Sequence, residues 1–161
     1  MKCEESLFAC LRFAMGWLFL WPFLDKLLGL GFSTKPMEAW ISGGSPTAGF
    51  LKFGTSGPFA PFFQQLAGQP WVDWLFMLGL LLIGLSLLLG IGLRIAAYSG
   101  TILLTAMWLA AFPPLHNPFL DEHLIFSLVL FVLANKDAGQ FCGFAKAWSE
   151  TKLVKDYPFL K

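Results

Sequence analysis

An apolar run from Leu7 to Leu28 constrains this chain most, because its only charges are Arg12 near the start and Asp25 and Lys26 near the end. A helix of that length is about 33 Å long, one hydrocarbon thickness, so the run predicts a membrane-spanning helix. Asp25 makes it more than an anchor. A carboxylate at such depth costs about 2.5 to 3.5 kcal/mol on insertion scales unless a partner or water meets it. Lys26 is its neighbour in sequence but points about 100° away round the helix. Pro22 removes one backbone hydrogen bond and frees the Leu18 carbonyl, which predicts a kink just before Asp25. Asp25 and Lys26 therefore read either as the wall of a site or as charges marking the water interface.

Composition decides between lipid and water. With 57% hydrophobic and 13% charged residues, the 161-residue chain lies far from soluble domains, where about a quarter of residues are charged. It reads as one integral membrane domain over 1–161. Seven Trp and 18 Phe suit aromatic belts at the two interfaces. A net charge of +1, with no basic patch interleaved with aromatics, argues against a nucleic-acid partner. The length of the first run and the charges at its far end predict that it is retained rather than cleaved as a signal peptide. Cys3, Cys10 and Cys142 show no Cys-x-x-Cys spacing, so neither a disulfide framework nor a metal site is expected.

Four spans are predicted, at about 7–28, 72–89, 95–112 and 119–134. Residues 29–71 form a connection too long for a hairpin and too apolar for a linker, expected to fold back as a cap. Within it Pro36–Trp40 and Ala60–Ala67 read as short helices, and Gly43–Leu51 opens with turn chemistry. Gly79, Gly84 and Ser86 give the second span small faces for close packing in lipid. Gly90 and Gly92 mark a tight turn, and Pro113 and Pro114 end the third span. Asp121, Glu122 and His123 fall in the first turn of the fourth, where acids suit the helix dipole. In the tail, 140–161, the spacing of Phe141, Phe144, Ala145 and Trp148 predicts an interfacial helix.

Orientation follows from Lys and Arg. With both termini cytoplasmic, eight of the eleven cations lie inside and only Lys26, Lys35 and Lys52 outside. The chain thus reads as an all-α, multi-pass four-helix bundle of the plasma membrane. Its long, partly helical cap is extracytoplasmic.

The segments LRFAMGWLFLWPFLDKLLGLGF (Leu11–Phe32), WISGGSPTAGFL (Trp40–Leu51), VDWLFMLGLLLIGLSLLLGIGLRIAAYSG (Val72–Gly100) and MWLAAFPPLHNPFLDEHLIFSLVL (Met107–Leu130) resemble the DoxX and DoxD family of small four-helix membrane proteins. In that family DoxD is the large subunit of a thiosulfate:quinone oxidoreductase, which passes electrons from thiosulfate to quinone and yields tetrathionate. The resemblance implies a quinone-linked redox subunit, with quinone as co-substrate and a small second subunit as partner. The rival reading is a non-catalytic membrane module that binds a lipid or a partner protein and organises a redox complex. A transporter is disfavoured by the lack of inverted repeats or broken helices. The bilayer is the one obligatory partner, and self-association into a homo-oligomer stays open.

Quinone reduction takes two electrons and two protons, so it wants an apolar aromatic slot with a protonatable group at one end. The candidates are Asp25, Asp121 and His123 as catalytic groups, with Trp21, Trp40, Trp108 and Glu122 around the ligand. His123 is the natural proton donor and a carboxylate its orienting partner. The acids read equally as an exposed helix cap. Trp17 and Trp21 share one helix face, suited to ring stacking or to lipid packing. Arg12 and Arg94 could hold an anion, or snorkel to headgroups, or pair with Asp137. A metal site from His116, Asp121 and His123 has no diagnostic spacing, with Pro118 intervening. No resident haem, flavin or iron-sulfur cluster is expected.

Overall fold

Helix α1 (Cys3–Leu28) starts ahead of the apolar run, with Glu4 and Glu5 in the first turn where the dipole favours acids. The computed structural model describes residues 3–160, and no strand occurs among them. After α1 the cap carries single 3-10 turns at Pro36–Glu38 and Trp40–Ser42, a π-helical turn at Phe50–Gly54 and the short helix α2 (Ala60–Gln65). Helices α3 (Pro70–Leu89), α4 (Leu93–Ala110) and α5 (Glu122–Asn135) follow. Three helices, α1, α3 and α4, are long and apolar enough to cross a membrane. Helix α2 falls within the expected Ala60–Ala67, the expected helix over Pro36–Trp40 is only a single 3-10 turn at Pro36–Glu38, and α1 runs through Pro22 as one helix.

Two expectations are corrected. The fourth span does not begin at Phe119, because Asp121 stands outside the helix as its N-cap, its carboxylate accepting from the amides of His123 and Leu124. That leaves α5 14 residues, or about 21 Å, shorter than the hydrocarbon core. The tail is not one interfacial helix either. It breaks into a 3-10 turn (Ala138–Gln140), α6 (Ala145–Ser149), α7 (Lys152–Asp156) and a last 3-10 turn (Pro158–Leu160). The left-handed backbone of Cys142 interrupts it, and the Thr151 hydroxyl starts a new helix by accepting from Val154.

In lipid, helix association rests on close packing and buried polar bonds rather than on a hydrophobic drive. Helix α1 packs on α3 and α4 on α5, with α3 against α4 between them. One core joins Met15 and Phe19 of α1, Ile83 and Leu87 of α3, Ala97 and Leu104 of α4, and Leu130 and Leu133 of α5. The small residue Gly84 lets α3 approach α1, since a Cβ there would lie 3.0 Å from the Leu20 amide nitrogen.

At the end where α1 begins, every carbonyl of the last turn of α3 is satisfied. Ser86 O accepts from the amides of Gly90 and Ile91, and Leu89 O from Phe144. The carbonyls of Leu87 and Leu88 both accept from Nη1 of Arg12. Nη2 of the same guanidinium donates to Phe141 O at 3.0 Å and Cys142 O at 2.9 Å. Arg12 is fully buried, and its charge meets the negative end of the α3 dipole. Beside it the α3–α4 turn lies against the tail backbone: a Cβ on Gly139 would sit 2.1 Å from Gly90 O.

The candidate ligand slot and its cap

Two carboxylates hold the cap, one from each of the helices that flank it. Asp25, 1% exposed at the end of α1, accepts from the Ser33 amide at 2.9 Å, the Ser33 hydroxyl at 2.7 Å and the Phe32 amide at 3.2 Å. Asp73, buried in the first turn of α3, accepts from the Ser45 hydroxyl at 2.9 Å, the Thr47 hydroxyl at 2.5 Å and the Thr47 amide at 3.2 Å. Each accepts three hydrogen bonds from loop donors, which is how such a group survives away from water. Trp40 adds an edge-to-face contact with Trp74 at 4.6 Å, and Ser56 N donates to Ala110 O at 3.0 Å. The cap is thereby fixed to α1, α3 and α4.

Between α3 and α4, under the cap, lies a cleft of about 370 Å³. Its floor is Leu75 and Phe76 of α3 with Leu103 and Met107 of α4, and its roof is Thr47, Phe50, Leu51 and Phe63 of the cap. Trp71 and Ala106 complete the sides. The single charged residue of its lining is Lys26, half-buried, with no carboxylate within ion-pair distance among the described residues. An apolar cavity with one polar group at its rim is the usual form of a site for a lipophilic ligand.

The predicted acid cluster is only partly assembled. Asp121 and His123 are joined, Oδ2 to Nδ1 at 2.7 Å, while Oδ1 caps α5 through the His123 and Leu124 amides. With Nδ1–H donating to the carboxylate, Nε2 of His123 is the acceptor nitrogen. The exposed Glu122 brings a carboxylate oxygen near them, the ligand atoms of all three lying within 4.8 Å of one another. These residues line a separate cleft of about 400 Å³ with Pro113, Pro114 and His116, and no residue of α1 contributes. Among the described residues no hydrogen bond or ion pair connects Asp25 to this group.

The tryptophans also separate. Trp21 stacks edge-on against Phe32 at 4.9 Å and tilts onto Trp17 at 5.5 Å. Trp108 packs on Phe112 at 5.0 Å and donates from Nε1 to Phe119 O at 3.0 Å, pinning the α4–α5 connection. Trp21, Trp40 and Trp108 thus brace three different parts of the cap end, and none of them lines the apolar slot. The arginines divide likewise: Arg12 is committed to four carbonyls, whereas the exposed Arg94 lines a cleft of about 410 Å³ with Asp137, Gln140 and Lys146.

What the sequence does not disclose is the slot itself. Lys26 and the Gly-Gly-Ser-Pro-Thr segment stand out in it, but nothing in their spacing brings them to one cavity with the far end of α4. Asp73 heads its span visibly, while its partner lies in a loop whose return is set only by the fold. Compared with family models, with curated proteins and with solved structures, the chain shows no match.

Proposed function

We propose that the chain is a four-helix membrane module of the DoxX and DoxD kind that binds a lipophilic ligand. Helices α1, α3, α4 and α5 cross or enter the plasma membrane, both termini face the cytoplasm, and the cap lies on the outer face. The observation that carries this reading is the slot between α3 and α4, apolar on floor and roof with one cation at its edge. Asp73, buried and bonded to Thr47 of the roof, gives it a preformed shape, and Asp25 ties the start of the cap to α1. The test is to purify the protein into lipid nanodiscs and identify what co-purifies by extraction and native mass spectrometry. Wild type is expected to carry a lipophile enriched over the bulk lipid, and Ala106→Trp, which fills the slot, to lose it. Equal recovery from both proteins refutes the slot as the site.

A second reading, the quinone-linked redox subunit, is favoured by the Asp121–His123 pair. There a quinone takes two electrons from two thiosulfates, which couple to tetrathionate, and two protons pass through an imidazole held by a carboxylate. It calls for a small second subunit. Quinone reduction with thiosulfate as donor, by wild type beside His123→Ala, separates the readings. Turnover that His123→Ala abolishes supports the enzyme, and none from wild type with membrane extract restored leaves the binding module.

A further inference from the structure

We propose that the slot takes a single-chain amphiphile with a carboxylate head, and that Lys26 is the residue that recognises the head; the inference rests on the slot being a ligand site. Lys26 is the one charge of the lining, and it is partly withdrawn from water. Neither neighbouring acid forms an ion pair with it. Asp25 is turned to Phe32 and Ser33, Asp73 to Ser45 and Thr47, and neither lines the slot. A half-buried ammonium beside hydrocarbon is stabilised by a counter-charge, and a ligand carboxylate supplies one with charge-assisted hydrogen bonds.

Size and depth fix the rest of the ligand. About 370 Å³ lies near the lower end of the roughly 300 to 1,000 Å³ of small-molecule sites, which suits one chain better than two. Lys26 sits in the last turn of α1 at the cap end, while Leu75 and Leu103 lie further along α3 and α4. A head at Lys26 therefore leaves its chain running down between those helices, as an amphiphile lies in a leaflet. One point-charge Lys without a second cation matches a carboxylate better than a phosphodiester, for which Arg forks or several donors are the common solution.

The full chain in nanodiscs of zwitterionic lipid is titrated with a dibrominated stearic acid and, separately, with its methyl ester, compared at equal membrane mole fraction. Bromine quenches nearby indoles, and Trp71→Phe identifies the part of the signal that comes from the slot. The acid is expected to saturate Trp71 quenching about tenfold tighter than the ester, the scale of one hydrogen bond to a charge. Lys26→Met brings the acid down to the ester, with the ester unchanged, and Lys26→Arg keeps the preference. Equal binding of acid and ester by wild type, or an unaltered preference in Lys26→Met, overturns head recognition while Trp71 quenching still upholds the slot. Absence of Trp71 quenching by either probe overturns both. Displacement of the acid by a two-chain anionic phospholipid, lost in Lys26→Met, overturns the single-chain assignment.

Discussion

Replacing Arg12 with Met tests whether a charge within the first span is a structural clip. The side chain donates to four carbonyls on two segments, Leu87 and Leu88 at the end of α3 and Phe141 and Cys142 in the tail. A hydrogen bond between membrane helices averages about 0.6 kcal/mol, with a maximum near 1.7. A buried carbonyl left without a donor costs about 1 to 3 kcal/mol. Among the described residues the carbonyls of Leu87 and Leu88 have no other donor, and α3 cannot rewind to supply one because Gly90 already closes on Ser86. Arg12→Met is therefore expected to destabilise the protein by about 2 to 5 kcal/mol. Arg12→Lys, a point charge without the fork, is expected to lose about half of that. Tryptophan fluorescence during SDS titration in mixed micelles gives the stability, and trypsin cleavage at Lys146 and Lys152 reports release of the tail. Arg94→Met is the control: Arg94 is exposed and makes no hydrogen bond among the described residues, so its change is expected to stay within about 0.5 kcal/mol. Equal stability and equal tail protection in Arg12→Met and wild type would refute the clip.

Three further outcomes are expected. Asp73→Ala orphans Ser45 and Thr47, costs about 1 to 3 kcal/mol, and loosens the slot roof, seen as faster proteolysis of 43–50 and weaker ligand retention in nanodiscs. Asp121→Ala removes the α5 cap and costs about 0.5 to 2 kcal/mol, whereas Asp121→Asn, which still accepts from the His123 amide, costs less; thermal unfolding ranks the two. Gly139→Ala pushes a methyl group to within 2.1 Å of Gly90 O, so the folded yield in detergent, read by size exclusion, is expected to collapse, while Gly79→Ala, whose nearest neighbour is 3.7 Å away, is expected to behave as wild type.

The long helices are legible because a run of apolar residues of bilayer length has few other uses, and α1, α3 and α4 each fall within a few residues of the predicted spans. The demand that Asp25 find a partner is legible too, and the partner is local, seven and eight residues on. The start of α5 is harder, because an acid in the first turn and an acid at the cap look alike in sequence and differ only in backbone angle. The role of Arg12 is invisible for another reason. Its acceptors are main-chain carbonyls 75 to 130 residues away, and a carbonyl carries no side-chain signature. The tail misleads because its helical spacing is real within α6, while the positive φ of Cys142 sits between it and Phe141.

The distribution of satisfied and unsatisfied charge bears on which residues can do chemistry. A group that exchanges a proton during a reaction must be able to change partners, and a carboxylate that gains a proton gives up accepting capacity. Asp25 holds Phe32 and Ser33 at the start of the cap, and Asp73 holds Ser45 and the slot residue Thr47, so protonating either would weaken the hold on the cap. Both are better suited to fixing the cap than to shuttling protons. His123 differs: Asp121 fixes its Nδ1, and Nε2 stays available beside a cleft of about 400 Å³. Lys26 differs again, with a charge that no carboxylate of the described chain neutralises within ion-pair distance, on the rim of the apolar slot. On the two proposed readings, proton transfer and ligand capture would fall to two places, and a redox reading needs a ligand that spans from one to the other or a partner that connects them. A lipophile bound at Lys26 whose occupancy leaves the His123 titration unchanged, followed by NMR of labelled imidazole, would show the two sites to be independent and remove the main structural support for catalysis within this chain.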